Sequence, residues 1–114
     1  MIETIVLDYL SGELNVPVWM EVPPDPPETY VVIEKLGSRR ENHIDRASMA
    51  VQSCSLISLY HAAALNDSVK RAMDDIVTRG DVSRCGLNSD YNFTDKKTKT
   101  YRYQAVFDLT YFDD

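Results

Sequence analysis

The prolines of this chain are confined to one short stretch, from Pro17 to Pro27, and the other residues contain none. Proline fixes the backbone φ angle and has no N–H to donate, so this stretch cannot form a helix. Short apolar runs flank it, Val16–Met20 on one side and Tyr30–Ile33 on the other. We therefore predict a strand, a stiff proline connection and a second strand, at about 16–22 and 29–36.

Size and composition fit one folded unit. The chain has 114 residues, of which 44% are hydrophobic, and we expect a single domain over 1–114. The formal net charge of −6 disfavours a protein that grips nucleic acid, because affinity for phosphates comes mostly from lysine and arginine. The sequence has no apolar run long enough to cross a bilayer and no signal-peptide pattern, so we expect no membrane partner and folding in the cytosol.

Two amphipathic helices are predicted, over residues 2–11 and from Ser58 to about Thr78. Serine is a favourable N-cap residue, so Ser58 is expected to begin the second helix, and Gly12 and Gly80 are expected to end the two helices. Apolar residues recur at helical spacing in both, which gives each a face to bury. These stripes are Ile2, Ile5, Val6, Tyr9 and Leu10 in the first helix and Ala62, Leu65, Val69, Ala72, Met73 and Ile76 in the second.

Three further strands follow from the remaining patterns. Residues 47–57 are small or apolar on both alternating faces, which is typical of a central strand. Val82–Phe93 and Tyr101–Phe112 form a predicted hairpin with its turn at 95–98, and the second arm alternates most regularly. The polar segment Gly37–Ser48 is expected to be a long mobile loop into which strand ends can extend. The order α-β-β-β-α-β-β predicts an α+β fold, an antiparallel or mixed sheet with two helices packed on one face.

Residues that could carry chemistry form no recognised pattern. The histidines, His43 and His61, have no second ligand at zinc spacing. Cys54 and Cys85 form no Cys-x-x-Cys pair, and we interpret both as reduced, small, apolar side chains. A calcium-loop start at Asp90–Asp95 fails because its sixth position is not glycine. The glycines are isolated, and no motif frames a nucleophilic serine. We therefore expect no catalytic residue, no cofactor and no metal.

Basic residues cluster in two places, in the predicted loop and at the predicted hairpin turn. Acidic neighbours dilute both clusters, so nucleic-acid contact is weighed against solvated charge or pairing with acidic residues of a neighbouring copy. The two clusters are Arg39, Arg40 and Arg46, beside Glu41 and Asp45, and Lys96, Lys97, Lys99 and Arg102, beside Asp95.

The order of these elements is itself informative. An N-terminal amphipathic helix leads into Val16–Trp19, and a proline-rich link leads into Tyr30–Ile33. The strand Ser48–Ser58 runs directly into the alanine-rich helix Ala62–Met73, and a hairpin ending in Tyr101–Tyr111 closes the chain. This arrangement covers nearly the whole chain and resembles the tail terminator family of long-tailed bacteriophages, including related neck and tail-completion proteins.

The resemblance implies a structural virion protein of a phage or prophage, assembled in the host cytoplasm and without catalytic residues. Family members form a ring, usually a hexamer, that ends polymerisation of the tail tube at its head-proximal end and offers a head-joining surface. The implied partners are other copies of the chain, the tail tube protein and the head–tail connector, with double-stranded DNA passing through the lumen without specific binding. The implied lumen or subunit-interface residues are Arg39, Arg40, Glu41, His43, Asp45 and Arg46, and a further contact is hypothesised at Lys96, Lys97 and Lys99.

Other functions stay open at this stage. A head-closure or neck adaptor of the same assembly would have an indistinguishable sequence pattern, and its binding partner would identify it. A small nucleic-acid-binding α+β module would require basic residues and exposed aromatics on one sheet face. A small enzyme would require a pocket with a perturbed titratable group.

Overall fold

The computed structural model describes residues 1–112, which form two helices, a short 3₁₀ helix and a five-stranded sheet. Their order matches the predicted α-β-β-β-α-β-β sequence, and the α+β fold class is confirmed. The elements are α1 (Ile2–Glu13), β1 (Val18–Trp19), β2 (Thr29–Glu41), β3 (Ile44–Ser55), α2 (Leu59–Asp74), the 3₁₀ helix Ile76–Arg79, β4 (Val82–Asn92) and β5 (Tyr101–Tyr111).

The strands lie in the order β1-β2-β3-β5-β4. Only β1 runs parallel to its neighbour, and the other pairs are antiparallel, so the sheet is mixed as predicted. β1 is far shorter than the predicted 16–22, because Pro17 and Pro23 have no N–H to extend its ladder. The carbonyl of Pro17 still accepts the Val31 N–H at 2.9 Å, which fixes the proline stretch to the sheet.

Both helices pack on the same face of the sheet, as predicted. Every second residue of the central strands points into this layer, and burial of these apolar side chains stabilises the fold. The core combines Ile2, Val6 and Leu10 of α1, Val69 and Met73 of α2, and Val31, Ile33, Met49, Val51, Ala105, Phe107 and Leu109 of the sheet. The opposite face of the sheet carries no helix of the described residues.

The helix ends differ slightly from their predicted positions. The Ser58 hydroxyl accepts the His61 N–H at 3.0 Å, so the predicted N-cap of α2 is confirmed. α2 ends at Asp74, before the predicted Thr78, and the chain tightens into the 3₁₀ helix that ends at Gly80 with φ +90°. α1 continues to Glu13 and so runs past Gly12, the predicted end.

The predicted mobile loop at Gly37–Ser48 is wrong. β2 and β3 continue through this segment and are joined by a two-residue turn, Asn42–His43, whose φ angles of +51° and +67° are both left-handed. Such a turn matches the twist of the strands it connects. The strands escaped detection because β2 is exposed on both faces here. The buried positions of β3 in this segment are Asp45 and Ala47, so the sequence lacks the large apolar alternation that marks a half-buried strand.

Replacing His43 with glycine is expected to stabilise the hairpin, because a side chain disfavours the left-handed conformation by roughly 1–2 kcal/mol. We expect the free energy of unfolding in urea to rise by about 1 kcal/mol. Asn42→Gly is the matched control and should gain less, since asparagine tolerates this conformation. A loss of stability in His43→Gly would contradict the turn described here.

Candidate interaction surface on the open sheet face

The face of the sheet opposite the helices, called the open face below, is covered only by its own side chains. Near the start of β2, Trp19 packs on Tyr30 with ring centroids 5.9 Å apart, beside Val32 and the buried Cys54. In the next strands, Gln52 donates to Gln104 at 2.9 Å, and Gln104 donates in turn to the Tyr91 hydroxyl. This half of the open face is therefore an aromatic and polar surface held by its own contacts.

The other half contains a depression that we call the glycine trough, formed by Gly37, Ser48, Asp108 and Gly86. These four residues are neighbours across the strands in one row of the register. The depression has a volume of about 620 Å³ and extends to the neighbouring Arg39, Arg46 and Arg84, which also line it. A Cβ at either glycine would meet no atom within 4 Å. Asp108 lies on its floor and accepts hydrogen bonds from Ser48 Oγ at 2.8 Å and Asn88 Nδ2 at 3.0 Å.

The next register row holds three exposed arginines, called the arginine row: Arg39 of β2, Arg46 of β3 and Arg84 of β4. Thr110 of β5 lies between Arg46 and Arg84. Arg39 reaches Glu41 at 4.0 Å, whereas Arg46 and Arg84 form no ion pair within residues 1–112. Like charges on facing strands destabilise a sheet, so this row gains from an anion outside the molecule.

The other residues predicted at this end of the chain divide between two environments. Arg40 forms a bidentate pair with Asp45, with Nε–Oδ1 at 2.6 Å and Nη2–Oδ2 at 2.7 Å. This pair lies in the register row that points toward the helix side, away from Arg39 and Arg46. His43 occupies the exposed turn. The predicted interface set is thus split, and its role remains a prediction.

Arg84, Gly86 and Asp108 were not predicted as site residues. They lie on β4 and β5 and join Arg39 and Arg46 only through the strand order, because β5 is inserted between β3 and β4. Exposed polar residues on alternate positions of β5 were the available signal. That alternation assigns Asp108 to the solvent face without identifying its neighbours.

The second predicted basic cluster lies at the opposite end of the sheet. The bridge between Asp95 and Thr100 closes a turn, which exposes Lys96, Lys97 and Lys99. The Asp95 carboxylate accepts the Lys97 N–H and the Thr98 hydroxyl, each at 3.0 Å, and the Lys97 N–H is the main cause of its lowered pKa. The Asp95 carboxylate therefore stabilises the turn through these hydrogen bonds. The three lysines form no ion pair within the described part of the chain.

Both cysteines are free thiols with depressed reactivity. Burial raises the pKa of Cys54 to about 11, and burial together with the nearby Asp74 and Asp108 carboxylates raises the pKa of Cys85 to about 12. A thiol attacks as its thiolate, so neither residue is an activated nucleophile at neutral pH.

Residues 1–112 contain no group of three or more His, Cys, Asp or Glu side chains that could hold a metal ion. None of their helices has both the length and the apolar character needed to span a membrane.

Comparison with known proteins gives a limited result. No family model matches the chain, and no curated protein matches it. Among solved structures, it is similar to a chain from the virion of a native gene transfer agent particle, with 17% identity and a TM-score of 0.49. The match covers 90% of this chain and 83% of the other. A structural similarity at this identity and TM-score does not indicate the function of this chain.

Gly86→Thr is expected to leave the free energy of unfolding unchanged or raise it by up to about 1 kcal/mol, because threonine suits a strand and no atom obstructs its Cβ. Gly80→Thr is the control, since the φ of +90° at Gly80 strains any side chain, and it should destabilise by roughly 1–2 kcal/mol. Urea denaturation measures both. A clear loss in Gly86→Thr would mean that this glycine serves the fold.

The raised thiol pKa values predict slow alkylation of the native protein. At pH 8, both cysteines should react with iodoacetamide much more slowly than in urea, because the thiolate fraction falls as the pKa rises above the pH. Mass spectrometry counts the adducts over time. Rapid labelling of either thiol in the folded protein would contradict the described burial.

Proposed function

We propose that this chain is a structural subunit of a phage-like virion, and that its copies form a ring at the head-proximal end of the tail tube. The ring ends tube polymerisation and offers a surface to the head–tail connector, while double-stranded DNA passes through its lumen. The observation that carries this proposal is the open face, where Arg46 and Arg84 form no ion pair within residues 1–112 and the glycine trough gives the surface a concave shape.

The bulged edges of the sheet favour association of copies through the two faces of the molecule. Exposed edge strands are templates for pairing with another chain, and bulges interrupt that pairing. β4, one edge, is bulged between Val82 and Arg84 and again between Leu87 and Ser89. β2, which extends past the short β1, is bulged between Lys35 and Gly37. With both edges interrupted, the open face and the helix layer are the better surfaces for joining copies.

A structural role also fits the chemistry of the surface. The raised pKa values of the thiols make them poor nucleophiles at neutral pH, and the trough lies on an open sheet face. Catalysis usually places an activated acid, base or nucleophile in a cleft. Among residues 1–112, the one carboxylate that lines the trough belongs to Asp108 and accepts hydrogen bonds from Ser48 and Asn88. These features favour a binding surface over an active site.

A head-closure or neck adaptor is the second candidate within the same assembly. The three exposed lysines at the far end of the sheet favour a second contact, distinct from that of the open face, with an acidic partner such as the connector. The tube protein and the connector protein from the same genome, tested separately for binding, distinguish a terminator from an adaptor.

The ring is tested with the purified full chain. Light scattering after size-exclusion chromatography should give a mass several times the 13.0 kDa of one copy at high concentration, and negative-stain images should contain closed rings. Tail tubes assembled with the protein present should be shorter and capped. A strictly monomeric protein that binds neither tube nor connector would overturn the proposal.

A further inference from the structure

The helix layer carries an acidic counterpart to the arginine row. We call it the acidic patch, and it consists of the exposed residues Asp8, Glu13, Asp74 and Asp75. It lies where the helices meet, around the hydrogen bond from the Tyr9 hydroxyl to the Ala72 carbonyl at 2.6 Å. Burial of Tyr9 raises its pKa, and the Glu13 and Asp75 carboxylates raise it further, which places both near this contact.

Three of these carboxylates, all but Asp8, lie at helix ends where a negative charge is unfavourable in the isolated molecule. Glu13 is the last residue of α1, whose last turn contains no basic residue, and Asp74 and Asp75 end and cap α2. The carboxyl end of a helix carries partial negative charge, so acidic residues there are destabilising and cations are favoured. None of the four carboxylates forms an ion pair within residues 1–112. Two cations lie on the same layer: Arg71 in the last turn of α2, and Arg79, whose pKa is raised first by its bond to Asp81 and further by the Asp8 carboxylate.

The arginine row and the acidic patch lie at the same end of the sheet but on opposite sides of it. Arg84 points to the open face, while its neighbour Cys85 packs against the core on the helix side, close to Asp74. The sheet therefore separates the two patches, and they cannot meet within one molecule. Each needs a complementary surface from outside.

We propose that the arginine row of one copy binds the acidic patch of the next copy, in a head-to-tail interface that joins the open face to the helix layer. This inference rests on the proposed ring function and identifies the surfaces that build the ring. Because the two patches are different and lie on opposite sides, the interface is heterologous, and it closes into a ring if the rotation between copies allows.

The charge pattern favours a second copy over a nucleic acid as the occupant of the open face. Asp108 lies in the row beside the arginines, and Glu41 lies near Arg39. A phosphate backbone would meet these carboxylates as well as the guanidinium groups, whereas a protein surface can match both signs. The overall charge of −6 further opposes a polyanion.

Charge reversal with complementation tests the interface. The first variant is Arg46→Glu with Arg84→Glu, and the second is Asp74→Lys with Asp75→Lys. Each alone should associate at least about tenfold more weakly than the wild type, because like charges then face each other. Mixed in equal amounts, they should recover association, and the wild-type mass where the ring has an even number of copies, because the variants then alternate and every interface joins opposite charges. Light scattering and native mass spectrometry measure the assemblies.

The matched control is Lys96→Glu with Lys97→Glu, which changes the net charge as much as the arginine variant but lies at the opposite end of the sheet. It should assemble like the wild type. Circular dichroism and urea denaturation verify that every variant folds, and the exposed positions make loss of the fold unexpected.

The outcomes separate the interface from the ring itself. If the wild type forms rings and the arginine variant forms them equally well, the proposed interface is overturned and the ring function stands. Weakening of each variant without recovery in the mixture also overturns the head-to-tail pairing. If the wild type remains monomeric at high concentration and binds neither tube nor connector, the ring function fails together with the interface.

Discussion

Burial of apolar side chains between one side of the sheet and the two helices stabilises this structure. β3 is paired with β2 and β5 along nearly its full length, and its helix-facing side chains Met49 and Val51 are fully buried under α1 and α2. The opposite face has no such cover. Antiparallel sheets commonly leave one face to solvent, but here that face carries three arginines and a trough rather than a uniform polar surface.

The electrostatics of the two sides are complementary, and each side is only partly neutralised by the described residues on its own surface, through Glu41 beside Arg39 and Arg79 near Asp8. Most ion pairs of the described residues lie away from the arginine row, and three of them are Arg40 with Asp45, Lys70 with Asp90 and Arg79 with Asp81. The last two link or brace elements around α2 and β4. Charges that serve the fold are thus paired locally, while Arg46, Arg84 and the acidic patch are left for contacts with another molecule.

Much of the fold could be predicted because the signals are local. The alternation in β5 identified its buried residues, including Phe107 and Leu109, and Ser58 marked the start of α2. The hairpin at Asn42–His43 could not, because β2 is exposed on both faces there and the buried positions of β3 are Asp45 and Ala47. The turn also lacks the Asn-Gly pair that signals this geometry. Only part of the candidate site could be predicted from the sequence. Arg39 and Arg46 are close in sequence, whereas the strand order brings Arg84 to them.

Bulges in β4 explain why Arg84 escaped sequence reasoning. Residues two apart on a regular strand share a face, so Arg84 should point to the core side with Val82. The register shift between them gives Val82 the core-facing Tyr111 as partner and Arg84 the open-face Thr110. The second shift does the same between Leu87 and Ser89. The two bulges therefore interrupt the edge of β4 and limit unwanted pairing with another chain. The bulge between Val82 and Arg84 also turns Arg84 onto the surface where copies are proposed to meet.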